Sequence, residues 1–235
     1  MNPDDYPKLD ALVIAPHPDD AELGMGGGIL GMLASGKRVG VLELTNGEPT
    51  PYGSIEIRER ETAAATEVLG LTWRGCLGLP NRSVESDLES RKKLASVIRL
   101  TQPRWLFAPY WEDAHPDHVA ATRLIEDARF WAKLSKTDMP GPRHHPERVF
   151  HYYCIHLRAA IQPMWIMDIS DHWAKKRQAI ECYESQFVTG REERPLLIDR
   201  LEEEAGYWGR LIGKRFGEPY TCREPLGLTG FNEVV

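Results

Sequence analysis

The chain has 235 residues, 42% of them hydrophobic and 27% charged, and a formal net charge of −6. These are ordinary values for a globular protein with room for one α/β core. The acidic balance excludes a nucleic-acid binder working through a broadly basic face, and no apolar run is long enough to span a bilayer.

The four cysteines, Cys76, Cys154, Cys182 and Cys222, are dispersed and form no C-x-x-C pair. They read as free thiols in a reducing compartment rather than a disulfide framework or a zinc cage. The opening residues MNPDDYPKLD lack the basic and apolar regions of a secretory signal, so the expected location is the cytoplasm.

Taken in chain order, Ala11 to Ala15 is a short apolar run with the length of a buried strand. It stops at Pro16-His17-Pro18-Asp19-Asp20, and a glycine-rich helix is expected from Glu22 to Ala34. Arg38 to Leu44 reads as a second strand, followed by the loop NGEPTPYGS and a helix from about Ser54 to Leu69 that ends at Gly70. Ile55, Thr62, Thr66 and Leu69 make its expected inner face, with Arg58 and Glu61 near its start. Trp73 to Leu77 is a third strand, Leu88 to Leu100 a helix and Arg104 to Pro109 a fourth strand.

That strand leads into Tyr110-Trp111-Glu112-Asp113-Ala114-His115-Pro116-Asp117-His118. Pro116 suits the first position of a helix. Beyond it Ala121, Leu124, Ile125, Ala128, Trp131 and Ala132 have amphipathic helical spacing. Ser135 to Glu147 reads as a surface loop, and Arg148 to His156 and Met164 to Ile169 as two more strands. Ser170 is expected to cap a helix reaching about Tyr183, and Leu197, Leu201, Ala205, Trp208 and Ile212 stripe a last helix. The tail from Tyr220 reads as irregular or extended. This alternation predicts an α/β protein of one domain over residues 1–235: a Rossmann-like three-layer fold with a mostly parallel sheet and helices on both faces.

Two chemical clusters therefore follow two apolar strands and precede two helices. In an open parallel sheet such strand ends share one rim, where ligands bind. His17, Asp20 and one of His115 or His118 would supply three N/O ligands, the number a catalytic zinc site uses. Asp19 is then a carboxylate beside the metal, and one histidine is spare. Hydrolysis needs that inventory: a base for the water, and a donor for the oxyanion or the leaving amine. The plainer reading makes Asp19 and Asp20 helix caps and His17 a loop histidine. A dinucleotide site is disfavoured because Gly24-Met25-Gly26-Gly27-Gly28-Ile29 lacks the last glycine of G-x-G-x-x-G.

H-P-D-D-x-E after the first strand and H-P-D-H after a later one resemble the LmbE-like (PIG-L) family of zinc-dependent N-deacetylases. The likeness extends through Ile55-Glu56-Ile57-Arg58 with Glu61, Ala108-Pro109-Tyr110 with Asp113, Val149 to Tyr153, Met167-Asp168-Ile169-Ser170 and Ser185-Gln186-Phe187. It looks most like the bacillithiol-biosynthesis branch, whose members deacetylate N-acetylglucosaminyl-malate, although NGEPTPYGS and RAAIQP depart from that branch.

The resemblance implies Zn2+ held by His17, Asp20 and His118, with Asp19 as general base. It implies His115 as the protonated oxyanion donor and acid, Arg58 near the substrate's polar groups, a small N-acetylated amino sugar or conjugate as substrate, and a homo-oligomer. Arg58 reads equally as an exposed helix charge. Asp113 and Asp117 are placed to orient the imidazoles, Glu22 supports the helix start, and Tyr110, Glu48, His156 and Arg158 lie near the expected pocket. Of the remaining histidines, His144 and His145 fall in the basic loop, and His151, His156 and His172 have no ligand spacing. An N/O ligand set also accepts Fe(II), Mn(II), Co(II) or Ni(II). The competing readings are a zinc amidohydrolase for another N-acyl substrate and a non-catalytic metal- or sugar-binding protein.

Overall fold

β1 (Ala11–Ala15) lies between β2 (Val39–Glu43) and β4 (Trp105–Pro109), parallel to both. All five of its residues are buried, and they alternate between two core layers. Leu12 and Ile14 pack with Leu94 and Ile98 of α3 (Leu88–Thr101) and Leu124 and Ile125 of α4 (Pro116–Ala132). Ala11, Val13 and Ala15 face Met25 and Ile29 of α1 (Asp20–Ala34), Leu69 of α2 (Ile55–Leu69) and Ala179 of α5 (Trp173–Glu181). A strand with helices on both faces is apolar throughout for this reason. The computed structural model describes residues 5–156, 161–191 and 196–227.

β3 (Trp73–Cys76) extends the sheet beyond β2, and β5 (Arg148–Tyr152) extends it beyond β4, both in parallel. Past β5 come β7 (Gly217–Thr221) and β6 (Trp165–Asp168), with β7 antiparallel to both neighbours. The order β3-β2-β1-β4-β5-β7-β6 makes a seven-stranded, mostly parallel sheet flanked by helices. The chain winds outward from β1 to β3 and returns to β4 on the other side of β1. The crevice outside the ends of β1 and β4 is therefore a topological switch point, the usual ligand position in such sheets.

Several local expectations need correction. Gly217–Thr221 is a strand between two others, although Gly, Glu and Pro weaken its strand signal; Pro219 sits where β7 pairs only with β6. β5 stops at Tyr152 rather than running to His156. Ser170 does not cap α5, which starts after His172; the Ser170 hydroxyl donates to Asp168 Oδ1 at 2.6 Å and accepts from the Phe216 N–H at 3.2 Å. A short helix α6 (Glu184–Phe187) follows α5, and α7 (Leu197–Leu211) buries Leu201, Ala205 and Trp208. The inner face of α2 is Arg58, Glu61, Ala65 and Leu69, while Ile55 is half exposed. Glu61 is satisfied there by Ser185, whose N–H and hydroxyl donate to its two oxygens at 2.6 and 2.8 Å.

The glycine run of α1 has a packing cause. The helix breaks at Met25 (φ −149°, ψ 23°). The Gly27 and Gly28 N–H groups then donate to Glu218 Oε1 and Oε2 at 2.8 and 2.7 Å. Lys176 Nζ donates to the same carboxylate at 2.7 Å and to the Leu23 carbonyl at 2.8 Å, and the Tyr220 hydroxyl donates to it at 2.8 Å. A Cβ at Gly27 would stand 2.5 Å from Ile169 Cγ2. Among the described residues no helix is long and apolar enough to cross a membrane.

Candidate active site

The loop after β1 carries His17, Asp19 and Asp20. Pro16 and Pro18 limit the backbone, and the Pro16 carbonyl accepts from the Thr45 N–H and hydroxyl, both at 3.1 Å. Asp19 precedes α1 with φ 103°, a conformation costly for a residue with a Cβ and found mainly where function requires it. Asp20 opens the helix, and its Oδ2 accepts from the His17 N–H at 3.0 Å and lies 3.1 Å from His17 Nδ1.

The second loop, after β4, ends at His115, which caps α4 ahead of Pro116. The Asp117 N–H donates to His115 Nδ1 at 3.2 Å, so a neutral ring carries its proton on Nε2. The rings of His17, His115 and His118 gather here, with centroids 4.8 Å apart for His17–His115 and for His115–His118. His118 is fully buried. Its Nε2 lies 3.4 Å from Asp20 Oδ2 and its Nδ1 3.2 Å from Asp113 Oδ2, yet neither nitrogen has a hydrogen-bonded partner.

Charge is unevenly held. Burial opposes a charged His118, but Asp20 and Asp113 outweigh it and raise its pKa. The same contest raises His17, where Asp20 prevails over burial. Asp20 itself is held well below the ordinary carboxylate range by His118 and His17, against burial. Asp19 differs: burial pushes it up to about 7, and Asp20 adds to the rise while Arg58 restrains it. His115 is lowered by burial and by its two histidine neighbours.

Arg58 is not an exposed charge. It is buried on α2, with Nη1 donating to Asp19 Oδ2 at 2.9 Å and to the Pro18 carbonyl at 3.1 Å. Its Nε lies 3.5 Å from Glu48 Oε1. Asp117 accepts the Arg82 and Val84 N–H groups at 2.8 and 3.2 Å, and its Oδ2 is 3.2 Å from His17 Nε2. His17, Asp19, Asp20, Arg58, His115 and His156 line one open cavity of about 910 Å³. Tyr110 is not among its lining residues and packs between Trp111 and Tyr153. Arg158 lies outside the described residues.

A buried network behind the site was not read from the sequence. Arg74 of β3 is held by Glu22 and Glu43 at 2.6 Å each and donates to the Tyr183 hydroxyl at 3.0 Å. A lone arginine in the strand WRGC, with Glu43 closing the neighbouring strand, was the available signal.

Among the described residues three side-chain groups have ligand atoms within 4.8 Å of one another: His17–Asp20–His118, His17–His115–Asp117 and Asp113–His118–Cys154. Burial pushes the Cys154 thiol up to about 12, which makes it a poor thiolate donor. Asp117 already serves two backbone N–H groups. The first group has an anionic carboxylate and an imidazole whose buried nitrogens are unsatisfied, so its donors fit a divalent ion.

Residues 12–129 match the family model described as PIG-L, GlcNAc-PI de-N-acetylase. The chain belongs to the PIG-L family. It is 32% identical over 225 residues to diacetylchitobiose deacetylase of Thermococcus kodakarensis, covering 88% of this chain and 80% of the relative. A probable N-acetyl-alpha-D-glucosaminyl L-malate deacetylase 2 of Bacillus anthracis is more distant, at 25% over 196 residues, covering 76% and 81%. The crystal structure of conserved protein TT1542 from Thermus thermophilus superposes with a TM-score of 0.87 at 37% identity, covering 95% of this chain and 98% of that one. This PIG-L protein is thus a hydrolase of a de-N-acetylase family. The resemblance to the malate branch in particular is not favoured over the chitobiose relative.

Proposed function

We propose that this PIG-L protein hydrolyses the N-acetyl amide of an N-acetylglucosamine-containing small molecule, with a divalent metal, Zn2+ first, held by His17, Asp20 and His118. One observation carries the reading. A fully buried imidazole with two unsatisfied nitrogens stands beside an anionic carboxylate and a second histidine, at an open cavity that also holds Asp19.

A metal on these ligands supplies Lewis acidity, which acidifies a water and polarises the amide carbonyl. Asp19 is the base. Its carboxylate is outside the ligand group, it faces the cavity, and its pKa of about 7 suits a proton acceptor near neutral pH. Arg58 fixes its orientation through the 2.9 Å bond, which makes Arg58 a positioning residue before it is a substrate contact. His115 offers an Nε2–H to the amide oxygen as negative charge grows there. Because its Nδ1 accepts from Asp117, the neutral ring is an oxyanion donor; the proton for the leaving amine is the one Asp19 has taken from water. Water and amide thereby become acetate and a free amine. Asp117 and Asp113 lie 3.2 Å from the outer nitrogens of His17 and His118, within reach of the support ligating histidines usually have.

The substrate is tested with metal-loaded protein and three compounds: N,N'-diacetylchitobiose, N-acetylglucosaminyl-malate and N-acetylglucosamine. Acetate and amine release from at least one, abolished in Asp19→Ala with metal content unchanged, is expected. No release from any N-acetylglucosaminide, or release that survives Asp19→Ala, overturns the reading.

A further inference from the structure

Gln186 of α6 lies on the cavity wall, as does Thr50 of the loop after β2, and the hydrolysis derived above uses neither. The side-chain nitrogen of Gln186 has two acceptors. Nε2 donates to the Thr50 hydroxyl at 3.1 Å and to the Ser185 hydroxyl at 2.8 Å, so both amide hydrogens are spent inside the protein.

A glutamine amide can in general be turned over, exchanging oxygen for nitrogen, but the neighbours of Gln186 forbid it. The Ser185 hydroxyl gives its own proton to Glu61 Oε2 at 2.8 Å, beside the Ser185 N–H bond to Glu61 Oε1 at 2.6 Å. The Thr50 hydroxyl likewise gives its proton to Glu48 Oε1 at 2.8 Å, while the Thr50 N–H donates to Glu48 Oε2 at 2.6 Å. Toward Gln186 both hydroxyls are therefore acceptors. A turned amide would set its oxygen against two oxygens with no proton to share. The two carboxylates behind them are themselves anchored at α2: Glu61 belongs to that helix, and Glu48 Oε1 lies 3.5 Å from Arg58 Nε. Oε1 is thus what the Gln186 amide offers the cavity, in an orientation set before a ligand arrives.

A fixed acceptor takes a donor at little ordering cost and discriminates against a ligand that lacks one. Thr50, Glu48 and Arg58 stand in the chain of contacts between Gln186 and Asp19. The donor that reaches Gln186 is accordingly a hydroxyl of the sugar and not the N–H of the amide being cleaved beside Asp19. We propose that Gln186 is a specificity-determining residue, whose Oε1 accepts a hydrogen bond from one sugar hydroxyl of the substrate. This rests on the deacetylase reading and specifies how that site recognises its substrate.

The test is calorimetric binding to metal-loaded Asp19→Asn, which holds its ligand without consuming it. The ligands are the tightest-binding of the N-acetylglucosaminides named above and its analogues, each lacking one hydroxyl of the N-acetylglucosamine unit. One analogue should bind about 3- to 10-fold weaker than the parent, the size of one neutral hydrogen bond. Adding Gln186→Met should weaken the parent by that factor and leave this analogue within about twofold, because both changes remove the same bond. An unchanged unfolding midpoint shows that the variant is folded. Analogues that all match the parent, a hydroxyl preference that survives Gln186→Met, or undetectable binding of every compound overturns the assignment. So does an equal loss for the parent and every analogue, which is what a merely structural role would give. Acetate release with Asp19 intact separates the two claims. Hydroxyl-selective binding without release removes the deacetylase reading, whereas release with no hydroxyl selectivity removes only the role of Gln186.

Discussion

Arg58 Nη1 donates to Asp19 Oδ2 at 2.9 Å, and this bond joins the buried face of α2 to the strained residue that precedes α1. The arginine does two things at once. It holds the carboxylate in a φ 103° conformation, and its charge opposes the rise that burial imposes on the Asp19 pKa.

Arg58→Gln should therefore move the Asp19 pKa upward, because the charge that lowers it is gone. The acid limb of kcat/KM against pH should shift to higher pH, and turnover at neutral pH should fall by about 10- to 100-fold, below the ~100- to 10,000-fold of a whole general base because Asp19 itself remains. Metal content should not change. An unshifted acid limb with a raised KM alone would make Arg58 a substrate contact instead.

Asp19→Asn should abolish turnover and yet stabilise the metal-free protein at alkaline pH. The folded pKa of about 7 stands above the ordinary 3.8, so between those values the native state keeps a proton the unfolded state has lost. Stability consequently falls as pH rises through that window, and the full penalty stands above about 7. Asn tolerates positive φ and still accepts from Arg58. The gain should be on the order of 2–4 kcal/mol at pH 8 and shrink toward pH 5, read from urea midpoints of chelated protein.

Glu218→Ala leaves the Gly27 and Gly28 N–H groups and the buried Lys176 ammonium without their shared acceptor. Breaking such a buried pair should cost about 3–5 kcal/mol. Gly27→Ala should cost about 1–3 kcal/mol by overpacking against Ile169. Urea unfolding checks both, and near-neutral results would show that α1 does not depend on this contact.

The strands beside the site were legible because β1 and β4 are apolar runs buried on both faces, and each is followed by a compact polar cluster. What was hidden needed the third dimension. Arg58 read as well as an exposed helix charge as a substrate contact, Glu61 had no assigned partner, and only Asp19 and Ser185 reveal why they are inside. Gly217–Thr221 has a poor strand composition, and it is held by its pairing with β6 and by Glu218 capping a helix some 190 residues away in sequence. Arg74 meets Glu22 and Glu43 across three elements, a juxtaposition no local pattern announces.

The most direct test is a zinc titration of chelated protein, following acetate release from the best of the three N-acetylglucosaminides. The account predicts activity rising to a plateau at about one metal per chain, and no rise in His118→Ala. Asp117→Ala should need about 10- to 100-fold more free zinc, because its carboxylate supports His17. Full activity of the chelated protein, or a His118→Ala variant that binds zinc and turns over like wild type, would contradict the metal site at the centre of the account.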